Sequence, residues 1–214
     1  MAPQTTKRTP GTRRPHPTRG KKLPAELLTA DEVSALLARC SRRAPTGIRN
    51  RALLAVMYRA GLRISEALAL SPKDLDPGHG LVRVLHGKGD QARTVALAPE
   101  AFALVERWLD RRKKLGLGER RRLFCTLKGG PMATAYVRGL CKRLARKAGV
   151  EKRVHPHGFR HALAAGLAMN GTPVNVIQAQ LGHASLATTD RYLRRIAPAD
   201  LLAALRLPAW TPPR

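Results

Sequence analysis

Between Leu28 and Leu205 the apolar residues of this chain recur at helical spacing, and one stretch breaks that pattern. Leu81–His86 and Ala92–Leu97 instead alternate apolar and polar side chains, with Gly87-Lys88-Gly89-Asp90 between them. Alternation on both sides of a glycine-rich turn predicts a β-hairpin with Lys88 at its tip. The fold class expected is therefore α+β, mostly α-helical, with a small antiparallel sheet. Leu123–Thr126 is expected to supply its third strand.

The helices have readable limits. Thr29 can cap the first, with Glu32 as its reciprocal partner, and Val33, Leu36, Leu37 and Cys40 follow at helical spacing. Ala44–Gly47 reads as a loop. A second helix is expected over Arg49–Arg59, with Leu53, Leu54 and Met57 inward, and a short one over Ile64–Leu70 after Gly61. Further helices are expected over Pro99–Leu115, Ala133–Ala148, Gly158–Asn170, Pro173–Leu181, Leu186–Arg194 and Pro198–Leu205. Gly171-Thr172-Pro173 reads as a stop and restart, with Thr172 as cap and Pro173 in the first helical position.

Composition narrows the function. The chain carries 40 Lys and Arg against 14 Asp and Glu, a formal net charge of +26. Such an excess points to a nucleic acid, because each phosphate neutralised releases counterions. Residues 1–24 are basic, proline-rich and without acids, and are expected to form a disordered arm. Residues 25–207 then form one domain, and 208–214 a flexible tail. The basic stretch from Arg111 to Arg122 is a second candidate for phosphate contacts. No apolar run approaches the roughly 20 residues of a membrane helix, so no membrane role is expected. Cys40, Cys125 and Cys141 form no close pair, and the N-terminus lacks the apolar segment of a secretory signal, which together point to a reducing cytoplasm.

Four separated segments set polar groups beside apolar helices. They are Gly61-Leu62-Arg63-Ile64-Ser65-Glu66; Gly87-Lys88-Gly89; His155-Pro156-His157-Gly158-Phe159-Arg160-His161; and Leu181-Gly182-His183, with Tyr192 nine residues after the histidine. Each alone is an ordinary surface or packing pattern. In this order and spacing the set resembles the tyrosine recombinase (phage integrase) family, over about Leu28 to Leu205.

The resemblance implies the catalytic-domain fold of that family and a site-specific DNA recombinase activity. It implies six catalytic residues: Arg63, Lys88, His157, Arg160, His183 and Tyr192. Glu66 is implied to orient Arg63 without touching the phosphate. Two guanidiniums would hold the non-bridging oxygens of the scissile phosphate with charge-assisted bonds, and His183 would donate another. Tyr192 would attack phosphorus; its ordinary pKa of about 10 calls for activation, for which His157 is the natural base. Lys88 would protonate the departing 5′-hydroxyl. The product is a 3′-phosphotyrosyl link that conserves the bond energy, so no cofactor, ATP or metal is implied. His157 and His161 stand at the spacing of a metal pair, but a cation, Arg160, lies between them and no hydrolytic Glu does.

The implied partner is double-stranded DNA, bound by a homotetramer on paired sites, with an accessory DNA-bending protein as a further partner and a nucleoid-associated, cytoplasmic location. A type IB topoisomerase uses the same tyrosine chemistry. A non-catalytic DNA-binding regulator is the alternative from another class. Only the arm precedes the first helix, where most of the family carries a helical core-binding domain, so a stand-alone catalytic domain is expected, with a truncated relic or a clamp supplied by a second chain as the alternatives. Leu201, Leu202, Leu205 and Leu207 are candidates for an apolar segment exchanged between subunits.

Overall fold

The computed structural model describes residues 27–85 and 92–182. The arm, the hairpin tip with Lys88, and everything from His183 onward, including the helices expected over Leu186–Arg194 and Pro198–Leu205, lie outside the described residues.

Helix α1 spans Ala30–Ala38 and opens with the expected capping box. The Thr29 hydroxyl accepts from Glu32 N at 3.1 Å, and the Glu32 carboxylate accepts from Thr29 N at 2.7 Å. Helix α2 spans Pro45–Arg59, so the segment expected as a loop is its first turn. Pro45 fits there because its missing N–H has no intrahelical acceptor to lose. Gly47 is required because a Cβ would press on the backbone of Ser41. Every residue from Ala52 to Met57 is buried, so α2 is enclosed on all sides, against α4 (Pro99–Lys114) and α6 (Pro156–Met169) among others. Leu53, Leu54 and Met57 do point inward as expected, and burial of each contributes roughly 1.5–3 kcal/mol.

Helix α3 (Ile64–Ala69) leads through a short 3-10 turn, Pro72–Asp74, into the sheet. The sheet is antiparallel in the order β1 (Leu75–Asp76), β2 (Leu81–Val84), β3 (Arg93–Ala96), with Val82 opposite Val95. The three-stranded sheet is as expected; its third member is not. Leu123–Cys125 forms only an isolated bridge, Cys125 to Pro131. Leu123 and Phe124 are apolar because they are buried, with Leu123 O accepting from Trp108 Nε1 at 2.8 Å. The strand at Leu75–Asp76 is too short for alternation to reveal it.

The basic stretch from Arg111 to Arg122 also departs from expectation, at Arg112 in the last turn of α4. Arg112 is buried, and its guanidinium donates to Arg122 O at 2.6 Å, Leu123 O at 2.9 Å and Gly118 O at 3.2 Å. It cross-links the loop instead of facing solvent. Helix α5 spans Thr134–Ala148 and packs on α1. Cys40, Cys125 and Cys141 are free and buried, and burial pushes the Cys40 thiol up to about 11 and that of Cys141 to about 12.

Helix α6 ends at Gly171, whose φ of 74° allows Gly171 N to donate to Ala168 O and Thr172 N to Leu167 O. The stop is as expected, but the restart is shifted. Helix α7 spans Val174–Leu181 with Pro173, not Thr172, at the cap position and no side-chain cap. Thr172 instead belongs to the close of α6, where its N–H donates to Leu167 O. Among the described residues, no helix is long and apolar enough to cross a membrane.

Candidate active site

Two turns build the site. After α2, Gly61 adopts φ 65°, and a Cβ there would lie 2.7 Å from Leu181 Cδ2 and 2.9 Å from Leu163 Cδ2. Only glycine permits both the left-handed turn and that contact. Leu62 then inserts into the core, which leaves Arg63 at the N-cap of α3, directed outward.

Glu66, one turn on, is buried and reaches back. It accepts from Arg63 N at 2.8 Å and from Arg63 Nη1 at 2.7 Å. It also receives a bidentate pair from Arg93 on β3, at 3.0 and 2.9 Å. Burial alone would raise this carboxyl; the bonds from Arg93 and Arg63 outweigh it and hold the pKa at about 2.

The second turn closes α7 at Gly182, with φ 63°. Gly182 O accepts from Arg63 Nη2 at 3.3 Å. The position of α7 is set by Gln180, whose side chain accepts from Ala96 N at 3.0 Å and donates to Ala96 O at 2.8 Å. That amide completes the outer edge of β3 and carries Gly182 to the site.

Arg160 on α6 is buried and donates to Gly61 O at 2.6 Å and to Leu181 O. Arg63 and Arg160 are thus tied to the same two pieces of chain, Gly61–Arg63 and Leu181–Gly182. His155 caps α6, its Nδ1 accepting from Gly158 N at 3.1 Å. Burial and the Arg153 charge lower its pKa, which suits a neutral ring acting as acceptor. His157 stands exposed on the first turn of α6, with its ring edge-on to His161 at 4.4 Å between centroids.

Arg63, Ser65, Arg138, Arg153, His155 and His157 line an open cleft of about 560 Å³, with no carboxylate in its wall among the described residues. Such a wall suits a polyanion. Among the described residues, no three His, Cys, Asp or Glu side chains gather at metal-binding reach.

Of the residues expected from sequence, the structure brings Arg63, Glu66, Arg160 and His157 to one side of the molecule. Lys88, His183 and Tyr192 lie outside the described residues; β2 and β3 flank the first, and Gly182 precedes the second. Arg93, Arg138 and Arg153 were not expected. For Arg93 a signal existed, because it shares strand parity with the buried Val95 and Leu97.

Comparison with known proteins adds a sequence-wide likeness to this geometry. Residues 26–197 match the phage integrase family. The chain belongs to that family. Its relatives include the tyrosine recombinase XerC 2 of Ralstonia nicotianae, 39% identical over 173 residues, which cover 80% of this chain and 50% of that protein. The tyrosine recombinase XerD of Pseudomonas aeruginosa is 38% identical over 178 residues, covering 82% and 59%. The chain spans about half the length of the curated relatives it matches. Among solved structures, the XerA recombinase superposes with a TM-score of 0.76 at 30% identity, covering 86% of this chain and 66% of that one. The XerH site-specific recombinase bound to its difH substrate, in a pre-cleavage complex, gives 0.67 at 32% identity, covering 78% and 49%.

Proposed function

We propose that this chain cleaves and rejoins double-stranded DNA site-specifically through a 3′-phosphotyrosyl intermediate. The reading rests above all on the shared anchoring of two guanidiniums. Arg160 and Arg63 are far apart in sequence, yet Arg160 donates to Gly61 O and Leu181 O while Arg63, beside it in the Gly61–Arg63 turn, donates to Gly182 O and lines a cationic cleft.

A phosphodiester already carries negative charge, and a pentavalent transition state places more on its non-bridging oxygens. Preorganised guanidiniums bind that added charge more strongly than the ground state. Arg160, locked by two carbonyls, supplies a fixed charge; Arg63 supplies the solvent-facing one. His157 accepts the phenolic proton of Tyr192 as its oxygen attacks phosphorus. Lys88 gives a proton to the departing 5′-oxygen, and His183 donates to a non-bridging oxygen. Attack by a second 5′-hydroxyl reverses these steps and regenerates the phenol. All transfers use side chains, so the proposal includes no cofactor or metal.

The catalytic unit is proposed as residues 25–207, with the arm of 1–24 adding phosphate contacts and 208–214 a tail. The working assembly is proposed as a homotetramer on two DNA sites, nucleoid-associated in the cytoplasm, with an accessory DNA-bending protein. Residues 197–214 would make the subunit exchange; deleting them should abolish synapsis, and unchanged stoichiometry on DNA would refute that part.

The test is covalent trapping. The protein is incubated with duplex fragments flanking its gene, quenched in detergent, and resolved for a protein–DNA adduct. An adduct in the wild type that is lost in Tyr192→Phe is the expected result. DNA binding without adduct would overturn the proposal in favour of a non-catalytic regulator.

A further inference from the structure

We infer that Arg93 is a positioning residue: through the buried carboxylate of Glu66 it aims the Arg63 guanidinium and keeps its charge available to the phosphate. The kinetic part of this inference rests on the function proposed above.

Geometry carries the first half. Glu66 Oε1 accepts from Arg63 Nη1 at 2.7 Å and Arg93 Nη1 at 3.0 Å. Its Oε2 accepts from Arg63 N at 2.8 Å and Arg93 Nη2 at 2.9 Å. A carboxylate offers about four acceptor sites, and here four donors fill them. Arg93 therefore locks the carboxylate plane against which Arg63 is set. Without it, Arg63 keeps only a rotatable Glu66 and the 3.3 Å bond to Gly182 O. A planar fork can make this bidentate contact and an ammonium cannot. Arg93 is itself confined by Gly182, where a Cβ would lie 2.5 Å from Arg93 Nε and 2.7 Å from its Cζ.

Charge carries the second half. A lone Glu66 would neutralise Arg63 one for one. Two guanidiniums on one carboxylate leave a unit of positive charge. The Arg93 side chain is 13% exposed and that of Arg63 25%, so the surplus faces the cleft through Arg63. The groups around Glu66 are Arg63 from its own helix, Arg93 from β3, and Lys73, Asp74, Arg120 and Arg122 along the adjoining cleft. Among the described residues, only Arg63 and Arg93 bond to it. Removing Arg93 takes away its share of the lowering, so burial raises the Glu66 pKa from its depressed value.

The test compares wild type, Arg93→Lys, Arg93→Met, Glu66→Gln and the Glu66→Gln/Arg93→Met pair. Single-turnover adduct formation is followed on the gene-flanking fragments that the wild type traps. Misplacing a reacting group can cost about 100-fold, and a loss of that order is expected for Arg93→Met, with Arg93→Lys recovering part. In the Glu66→Gln background, removing Arg93 should cost less than about twofold more, because the carboxylate it serves is gone. Losses that multiply independently, or an Arg93→Met rate equal to wild type, would overturn the inference. A carbon-13 NMR titration of the Glu66 carboxyl reads it without DNA. The resonance should titrate near 2 in the wild type and higher in Arg93→Met, with Arg93→Lys between. An unchanged titration in Arg93→Lys and Arg93→Met overturns the inference. A wild type that traps no DNA refutes the proposed function, while the titration still decides the role of Arg93.

Discussion

Replacing Arg112 with Met separates the two jobs that arginine does in this chain. The guanidinium is buried and makes two strong contacts, 2.6 Å to Arg122 O and 2.9 Å to Leu123 O. Longer ones reach Gly118 O, Arg121 O and Cys125 Sγ. Each charge-assisted bond is worth about 1.5–3 kcal/mol net, so losing the two strong ones costs roughly 3–6 kcal/mol. Methionine keeps most of the stem packing, and the desolvation penalty of the buried charge disappears with it, which brings the expected loss to about 3 kcal/mol. For a domain of this size that lowers Tm by roughly 6–12 °C. Thermal unfolding followed by circular dichroism measures it, and DNA affinity against salt is measured alongside at a temperature where the variant is folded. The salt slope should stay at its wild-type value. A Tm within about 2 °C of wild type, together with a salt slope reduced by about one, would place Arg112 on DNA and refute the reasoning.

Arg138→Ala and Arg153→Ala should behave in the opposite way, each reducing the salt slope by about one with little change in Tm, since both are exposed in the cleft wall. Glu66 has a folded pKa of about 2, depressed below the ordinary value of 4.5, so its contribution is present above about 4.5 and is lost as pH falls through 2. A shift of that size is worth on the order of 3 kcal/mol, and Glu66→Gln should remove that much of the pH dependence of unfolding in this window. Gly61→Ala should destabilise by about 2–4 kcal/mol, since it strains a positive φ and overpacks Leu181 and Leu163. Gly116→Ala, at φ 66° in open space, should cost only about 1 kcal/mol; equal losses in urea unfolding would show that the close approach of Gly61 to Leu163 and Leu181 is unimportant.

The β2–β3 pairing, the Thr29 cap and most of the described helices were legible because local rules govern them. The Thr29–Glu32 box and the glycine stop at Gly171 depend on residues within one turn. The family pattern likewise announced Arg63, Glu66, His157 and Arg160 as neighbours of one site. The errors came where a neighbour distant in sequence decides. Ala44–Gly47 has the composition of a loop, yet Pro45 opens α2 and Gly47 leaves room for Ser41. Leu123–Cys125 looked like a strand because buried loops and strands are equally apolar.

Sequence alone determined most element types and the basic character, which follow from spacing and composition, and the family, which its motifs resemble. Tertiary structure decided which arginines face solvent and which hold the fold. Arg63, Arg93, Arg112 and Arg160 are alike as letters. Arg112 ended among loop carbonyls and Arg160 between Gly61 O and Leu181 O. Arg93 ended on a buried carboxylate, and Arg63 on that same carboxylate with its other side toward the cleft. A guanidinium takes its role from the acceptors within about 3 Å of it, and long-range packing chooses those acceptors.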